Sequence, residues 1–258
     1  MKITIGPAGS SGLGNEKGIL ECKKLGLDSM EVEFTYGVKM SNDTAKEIGQ
    51  VAKENNISLS VHGPYYVNLN SVEKIKIKES KTRILMSCER AHYLGAKHVV
   101  FHAGFYTKMS AEETYDNIKV EIKDLQKTIK QKKWDCVLSP ETTGKASQFG
   151  SLDELLRLVR ETGCSICVDF AHLKARNVGI IDYNEVFKKL MHLNHMHCHF
   201  SGVEWTQKGE RRHIITAENE ITELFKFMKK YNINANIINE SPDPFSDCVK
   251  MKKILQQI

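Results

Sequence analysis

Proline and long apolar runs are both scarce in this sequence of 258 residues. With five prolines and 17 glycines, the composition does not match that of a disordered or fibrous chain. No apolar run is long enough to span a bilayer. The first residues, Met1-Lys2-Ile3, enter a predicted strand without the apolar stretch of a signal peptide, so we expect an intracellular, cytoplasmic protein.

Disulfide bonds are not expected either, because the seven cysteines are an odd number scattered among apolar segments. Cys164 and Cys167 form a CxxC pattern inside a predicted strand, where residues three apart point to opposite faces. We therefore interpret both as core residues rather than as a redox or zinc pair. The net charge of +5 permits a nucleic-acid partner without requiring one.

Short β-rich apolar runs alternate with longer charged segments whose apolar residues recur every three or four positions. The runs predict eight strands: 2–8, 29–34, 57–62, 98–102, 136–141, 164–169, 195–200 and 236–240. Gly95 and Gly163 are predicted to end two of the intervening helices. This alternation indicates parallel strands joined by right-handed crossovers.

Eight such units in a chain of this length predict an α/β fold, a (β/α)8 TIM barrel. No linker or low-complexity tract divides the chain, so we expect residues 1–258 to form a single domain, and we expect a monomer. The main alternative is a doubly wound sheet. Gly12 and Gly14 lack the full spacing of the phosphate-binding turn that usually follows the first strand of such a sheet.

Histidine and carboxylate side chains stand at the ends of six consecutive predicted strands. In chain order they are His62, His102, Glu141, Asp169, His197 and Glu240. The carboxyl ends of all strands of a barrel converge on one mouth, so these residues would become neighbours. Divalent ions would offset the cost of burying them together. The mixture of imidazole and carboxylate suits zinc or manganese and predicts a metal site at the C-terminal mouth.

The other histidines are interpreted separately. His92, His98 and His192 fall at the beginnings of helices or strands and are expected to be structural. His195 and His199 share a strand face with His197, because residues two apart on a strand point the same way. Only one level of that strand is expected to lie at the mouth.

A series of short motifs follows the chain in order. They are His62-Gly-Pro-Tyr65-Tyr-Val-Asn68-Leu, Phe101-His102-Ala-Gly104, Pro140-Glu141-Thr-Thr-Gly144, Asp169-Phe-Ala-His172, His197 before Ser201, Arg212-His213 and Glu240-Ser-Pro242. Together they resemble endonuclease IV, a family of metal-dependent abasic-site endonucleases on an α/β barrel. The resemblance covers nearly the whole chain and implies a trinuclear zinc cluster.

The resemblance also implies the ligands of each ion. His62 and His102 would bind one ion, and Glu141 would bridge it to a second. The remaining ligands of the second ion would be Asp169, His197 and Glu240. His172 and His213 would bind the third ion.

One departure from the family pattern concerns the third ion. The family has an Asp two residues before its last histidine, and Arg211 takes that place here, with Glu210 one residue further off. The sequence therefore predicts two or three Zn²⁺ ions, with Mn²⁺ as the alternative metal.

A second departure concerns the surface that would contact DNA. The segment 34–40 after the second strand differs from the family's damage-recognition loop, and Tyr36 or Met40 is a candidate apolar wedge. Tyr65 resembles a family tyrosine of the DNA-binding surface. The loop 205–212 is either a set of phosphate contacts or a solvated charged loop. Its basic residues are Lys208, Arg211 and Arg212.

The resemblance implies that the chain hydrolyses double-stranded DNA on the 5′ side of an abasic site, as in base-excision repair. A hydroxide bridging two ions would be the nucleophile, and the catalytic residue Glu141 would hold the ion pair and orient the hydroxide. Cleavage would leave a 3′-hydroxyl and a 5′ sugar phosphate.

Two other functions remain open. A single-metal sugar isomerase or epimerase of the xylose-isomerase-like superfamily would use Glu141, Asp169, His197 and Glu240, and would have no need of His62 and His102. A barrel that binds without catalysis is the third possibility, which the intact set of ligands disfavours.

Overall fold

The computed structural model describes all 258 residues, Met1 to Ile258, and its strands alternate with helices as predicted. The strands are β1 Ile3–Pro7, β2 Ser29–Glu33, β3 Ser58–His62, β4 His98–Phe101, β5 Gly104–Phe105, β6 Val137–Pro140, β7 Gln148–Phe149, β8 Cys167–Asp169, β9 Met196–Phe200, β10 Gly202–Thr206, β11 Gly209–Ile214 and β12 Ala235–Asn239. The helices are α1 Asn15–Lys24, α2 Asn42–Asn55, α3 Lys74–Leu94, α4 Ala111–Lys132, α5 Leu152–Thr162, α6 Phe170–Arg176, α7 Tyr183–Leu190, α8 Glu218–Lys230 and α9 Pro244–Leu255.

Eight parallel strands close into a barrel. β2, β3, β4 and β6 form one arc, and β8, β9, β12 and β1 form the other. Single backbone bridges join the two arcs at both seams, between Ala8 and Glu31 and between Glu141 and Cys167. These pairings confirm the predicted (β/α)8 TIM barrel and its eight strands, and they leave no open edge of the kind that a doubly wound sheet has.

The helices that surround this barrel begin and end at residues that cap them. Ser151 and Glu154 form a capping box at the start of α5, in which each side chain bonds to the backbone of the other residue. α3 and α5 end at Gly95 and Gly163, as predicted, because both glycines adopt the left-handed conformation with φ of 69° and 72°. The apolar helix faces and strands share one core cluster of 56 buried residues. None of the helices combines the length and the apolar character that a membrane crossing requires.

Two short antiparallel hairpins stand outside the barrel, one formed by β5 and β7 and the other by β10 and β11. The second corrects the prediction of a loop at 205–212, since these residues belong mostly to paired strands. The chain reverses between Thr206 and Gly209, where the glycine φ of 96° permits a tight turn. β8 begins at Cys167 rather than at Cys164, and both cysteines are buried free thiols.

Candidate metal centre

Glu141 lies at the centre of the barrel mouth with a pair of imidazoles on each carboxylate oxygen. It directly follows β6 and is buried. Its Oε2 lies 3.2 Å from His62 Nε2 and 2.9 Å from His102 Nε2. Its Oε1 lies 3.1 Å from His199 Nδ1 and 3.3 Å from His172 Nδ1. His62 and His102 beside Oε2 and His199 beside Oε1 give the two oxygens separate nitrogen donors, which is the arrangement needed to bridge two ions. His172 Nδ1 also lies near Oε1, but it faces the carbonyl of Thr142 as well.

The potential metal donors form four groups, in each of which the donor atoms lie within 4.8 Å of one another, and three of the groups overlap at the mouth. These three are His62, His102 and Glu141; Glu141, Asp169, His199 and Glu240; and Asp169, His172 and His213. The fourth, which reaches one layer deeper, consists of Cys167, His197 and His199. The structure thus brings together seven of the eight predicted ligands, and adds His199.

Asp169 shows how the local sequence positions one of these donors. It is the N-cap of α6, where its Oδ1 accepts a hydrogen bond from the backbone N–H of His172 at 2.8 Å. Its other oxygen, Oδ2, is buried and has no hydrogen-bond partner. Because a buried carboxylate oxygen without a partner is costly, this atom fits a role as a cation ligand.

His199 occupies the place in which the sequence analysis expected His197. The register of β8 and β9 sets His199 opposite Asp169, level with the mouth, and sets His197 opposite Cys167, one layer deeper. There His197 Nε2 lies 3.1 Å from Glu31 Oε2. The sequence could not separate the two histidines, because both lie on the same strand face and only the pairing with β8 sets their levels.

A β-bulge brings Glu210 into the third group. Glu204 pairs with Arg212 and Trp205 pairs with Glu210, so the register shift leaves Arg211 without an opposite residue on β10. The extra residue turns Glu210 and His213, which are three positions apart, towards the same side. Glu210 Oε2 lies 3.3 Å from His172 Nε2, and Glu210 Oε1 lies 3.8 Å from His213 Nε2.

Arg211, which replaces the family Asp, points away from this group. Its Nη1 lies 2.8 Å from Glu204 Oε1, and Arg212 Nε lies 2.6 Å from Glu204 Oε2, with both arginines exposed. The hairpin can approach the mouth because residue 144 is glycine. A Cβ at Gly144 would lie 2.6 Å from the Cβ of Glu210.

We expect Glu210→Gln to weaken the binding of one ion at least about tenfold, because an amide there removes a charged oxygen donor near His172 and His213. Arg211→Gln is the matched control and should leave the metal content unchanged, because this side chain faces outward. Metal content after dialysis against graded chelator concentrations distinguishes the two variants. Equal loss in both would contradict the placement of Glu210.

Two of the imidazoles at the mouth, His62 and His172, have a ring nitrogen hydrogen-bonded to a backbone carbonyl behind the site. His62 Nδ1 lies 2.8 Å from the carbonyl of Gly63, and His172 Nδ1 lies 2.9 Å from the carbonyl of Thr142. Each carbonyl accepts a hydrogen bond from the ring, which leaves the Nε2 atom free to bind an ion. Their tautomers are therefore set by the backbone.

Burial and charge together shift the pKa values of this cluster. Burial opposes charging of His62, but its hydrogen bond to Glu141 and the charge of Glu33 raise its pKa to about 10. Burial raises the pKa of Asp169 to about 6 and that of Glu33 to about 8. Burial also acts to raise the pKa of Glu141, but the neighbouring His199 holds it well below the usual range. An ion that binds His62 must displace a proton from its imidazole.

Sequence reasoning missed two acidic residues of β2. Glu31 is fully buried, and Glu33 has a buried oxygen, Oε1, without a hydrogen-bond partner. The available signal was the alternation of Ser29, Glu31 and Glu33 with the apolar Met30 and Val32. Polar residues at every second position of an otherwise apolar strand point into the barrel rather than towards the helices.

The predicted DNA-contacting residues are exposed, except that Met40 is partly buried against the core. The ring of Tyr65 lies 5.8 Å from that of His62 at the mouth, and 58% of Tyr65 is exposed. Tyr36 is 80% exposed, and the backbone N–H of Tyr65 donates to the carbonyl of Thr35. Lys208 is exposed in the turn of the β10–β11 hairpin.

The chain is an eight-stranded barrel whose C-terminal mouth carries overlapping groups of histidine and carboxylate side chains. These features place it in the class of barrels suited to binding divalent metals. Within that class, the chain belongs to the xylose isomerase-like TIM barrel family, whose profile matches residues 19–254. It is 36% identical over 248 residues to an uncharacterized protein of Methanocaldococcus jannaschii, covering 92% of this chain and 90% of the relative. It is 28% identical over 195 residues to a protein named probable endonuclease 4 of Mycoplasmopsis synoviae, covering 70% and 68%.

Solved structures show the same barrel in proteins with different names. Endonuclease IV from Thermus thermophilus matches with a TM-score of 0.74 at 17% identity, covering 99% of this chain and 100% of that structure. D-psicose 3-epimerase from Clostridium cellulolyticum, solved with D-tagatose, matches with a TM-score of 0.71 at 15% identity, covering 98% and 96%. At such identities these likenesses establish the fold, which the nuclease and the epimerase share.

Proposed function

We propose that this chain is a metal-dependent phosphodiesterase that hydrolyses double-stranded DNA on the 5′ side of an abasic site, acting as a monomer. The observation that carries the proposal is Glu141, whose Oε2 faces His62 and His102 while its Oε1 faces His199. A one-ion site needs only the Oε1 side of this carboxylate. His62 and His102 on the Oε2 side support a second ion. The similarity to proteins named endonuclease 4 supports the same choice.

The proposed ligands are the donors of the three groups together with Glu210. Nitrogen and oxygen donors of this kind suit Zn²⁺, with Mn²⁺ as the alternative. Divalent ions bound here would lower the pKa of the attacking water and neutralise charge on the phosphate. Glu141 would keep the two donor sets at a constant separation, since it is buried and held from both sides by imidazoles.

Exposed side chains near the mouth would contact the DNA. Tyr65 stands beside His62 and is placed to touch the strand entering the site. Arg211 and Arg212 both pair with Glu204, but exposed pairs contribute little free energy, so DNA phosphates can displace the carboxylate. Tyr36 has the exposure that an apolar wedge into an abasic gap requires.

A sugar epimerase is the second candidate function. The donor atoms of Glu141, Asp169, His199 and Glu240 lie within 4.8 Å of one another, so these four residues could hold one ion without the other histidines. The sugar epimerases of the same fold support this alternative. It leaves His62, His102, His172 and His213 at the mouth without a role.

The two candidates are separated by counting ions and assaying both reactions. We expect at least two ions per chain, nicking of a labelled duplex that contains one abasic site, and a 3′-hydroxyl that a polymerase extends. An undamaged duplex of the same sequence is the control substrate. A single ion per chain with conversion of D-tagatose, and no nicking, would replace the nuclease with the epimerase.

A further inference from the structure

A buried carboxylate lies directly behind His199, beneath the metal centre. Glu31 is fully buried on β2, and its Oε1 lies 2.9 Å from His199 Nε2. Neither of these two buried atoms makes a hydrogen bond of good geometry to any group, so their close approach is an ion-pair contact. On the other side of its ring, His199 Nδ1 lies 3.1 Å from Glu141 Oε1 and 3.2 Å from Glu240 Oε1. The imidazole therefore connects Glu31 to the mouth.

His199 differs in this respect from three other imidazoles of the centre. His62 and His172 are backed by the carbonyls of Gly63 and Thr142, and His213 Nδ1 is backed by the hydroxyl of Ser201 at 2.6 Å. These partners are neutral oxygens, whereas the partner of His199 is a carboxylate. A carboxylate behind a metal-binding histidine sets its tautomer and makes its other nitrogen a stronger donor.

The hydrogen bonds around Glu31 determine which ring nitrogen of His197 carries the proton. The amide oxygen of Asn236 accepts from Thr4 Oγ1 at 2.9 Å and from Ser29 Oγ at 2.7 Å. Its Nδ2 therefore faces His197 Nδ1, at 3.3 Å, and donates to it. His197 must then carry its proton on Nε2, which lies 3.1 Å from Glu31 Oε2.

Glu31 thus accepts hydrogen bonds on Oε2 and has an imidazole nitrogen at ion-pair distance from Oε1. Ser60 Oγ donates to Oε2 at 2.6 Å, alongside His197, which leaves Oε1 for His199 alone. Only a carboxylate accepts on both sides, because an amide in its place presents an NH₂ group on one of them.

We propose that Glu31 is a positioning residue of the metal centre. It accepts a hydrogen bond from the Nε2–H of His199 and so keeps Nδ1 unprotonated and directed towards Glu141 and Glu240. The inference rests on the metal centre of the proposed function but not on DNA as the substrate. Glu31 points into the barrel from β2, beneath the mouth, so its role in metal binding could not be inferred from the residues at the strand ends.

The Glu31→Gln variant tests the proposal. Its amide oxygen should take the Oε2 position, which faces two donors, so that its NH₂ faces His199 Nε2. The ring would then change to the Nδ1–H tautomer, and the affinity for one ion should fall about 10- to 100-fold. Chelator competition measures this loss. Long-range ¹⁵N–¹H spectra of labelled histidines, assigned with His199→Gln, report the tautomer directly.

Ser60→Ala is the matched control, because it removes a donor to the same carboxylate without touching the contact with His199. It should keep the wild-type metal affinity and the wild-type tautomer. A wild-type affinity and tautomer in Glu31→Gln would overturn the proposal, and so would an equal loss of affinity in both variants. If Glu31→Gln does not fold, Glu31→Asp should weaken binding in the same direction, and unchanged affinity there would also overturn it.

These outcomes are distinct from failure of the nuclease assignment. A wild-type chain that binds two ions but does not nick abasic DNA would remove the proposed substrate and leave the role of Glu31 standing. A Glu31→Gln variant with wild-type metal binding would remove that role while abasic-site cleavage by the wild type persisted.

Discussion

Glu141→Gln is expected to lower the rate of abasic-site cleavage by more than about 100-fold. Replacing groups that only support metal ligands already costs about 10- to 100-fold, and Glu141 directly faces the donors of both proposed ion sites. Whichever way the glutamine amide turns, its NH₂ group replaces an oxygen beside one of the two imidazole pairs. An NH₂ group cannot bind a cation, so at least one ion loses a ligand.

The measurement is the single-turnover nicking rate of an abasic duplex, together with metal content by mass spectrometry. Glu47→Gln, the same change at an exposed position of α2, should behave as the wild type. Wild-type cleavage by the Glu141 variant would show that this carboxylate is not the bridge. Lost cleavage with full occupancy of every ion would instead point to a role in orienting the substrate.

Removal of the bound ions is expected to lower the melting temperature by about 8–16 °C. A ligand present at about 1,000 times its dissociation constant stabilises the folded state by about 4 kcal/mol. Each kcal/mol shifts the melting temperature of a domain of this size by about 2–4 °C. Metal removal lowers the melting temperature because it leaves several buried or half-buried carboxylates, at and below the mouth, without a balancing cation. They are Glu31, Glu33, Glu141, Asp169, Glu210 and Glu240.

Thermal unfolding before and after treatment with a strong chelator measures the shift, with residual metal determined on the same sample. Adding back Zn²⁺ should restore the original melting temperature, which rules out damage by the treatment. Glu141→Gln should show a smaller shift on chelation than the wild type. An unchanged melting temperature in a sample verified to be metal-free would show that protonated imidazoles alone balance these carboxylates.

Much of the architecture could be predicted from the sequence, because it depends on local patterns. Apolar runs separated by amphipathic segments predict the eight strands, and the positions of Gly95 and Gly163 predict two helix ends. Convergence of strand ends follows from parallel topology alone. For that reason, residues as distant in sequence as His62 and Glu240 could be placed at one mouth before any coordinates were known.

The sequence by itself thus determined the barrel, the mouth and most of the candidate ligands. Only the tertiary structure showed that His199 lies level with the mouth and His197 one layer deeper, because the pairing of β8 with β9 sets their levels. It also placed Glu210 inward and Arg211 outward, through a bulge that depends on how β10 and β11 pair. Register and bulges arise from contacts between strands, so no pattern within one strand reports them.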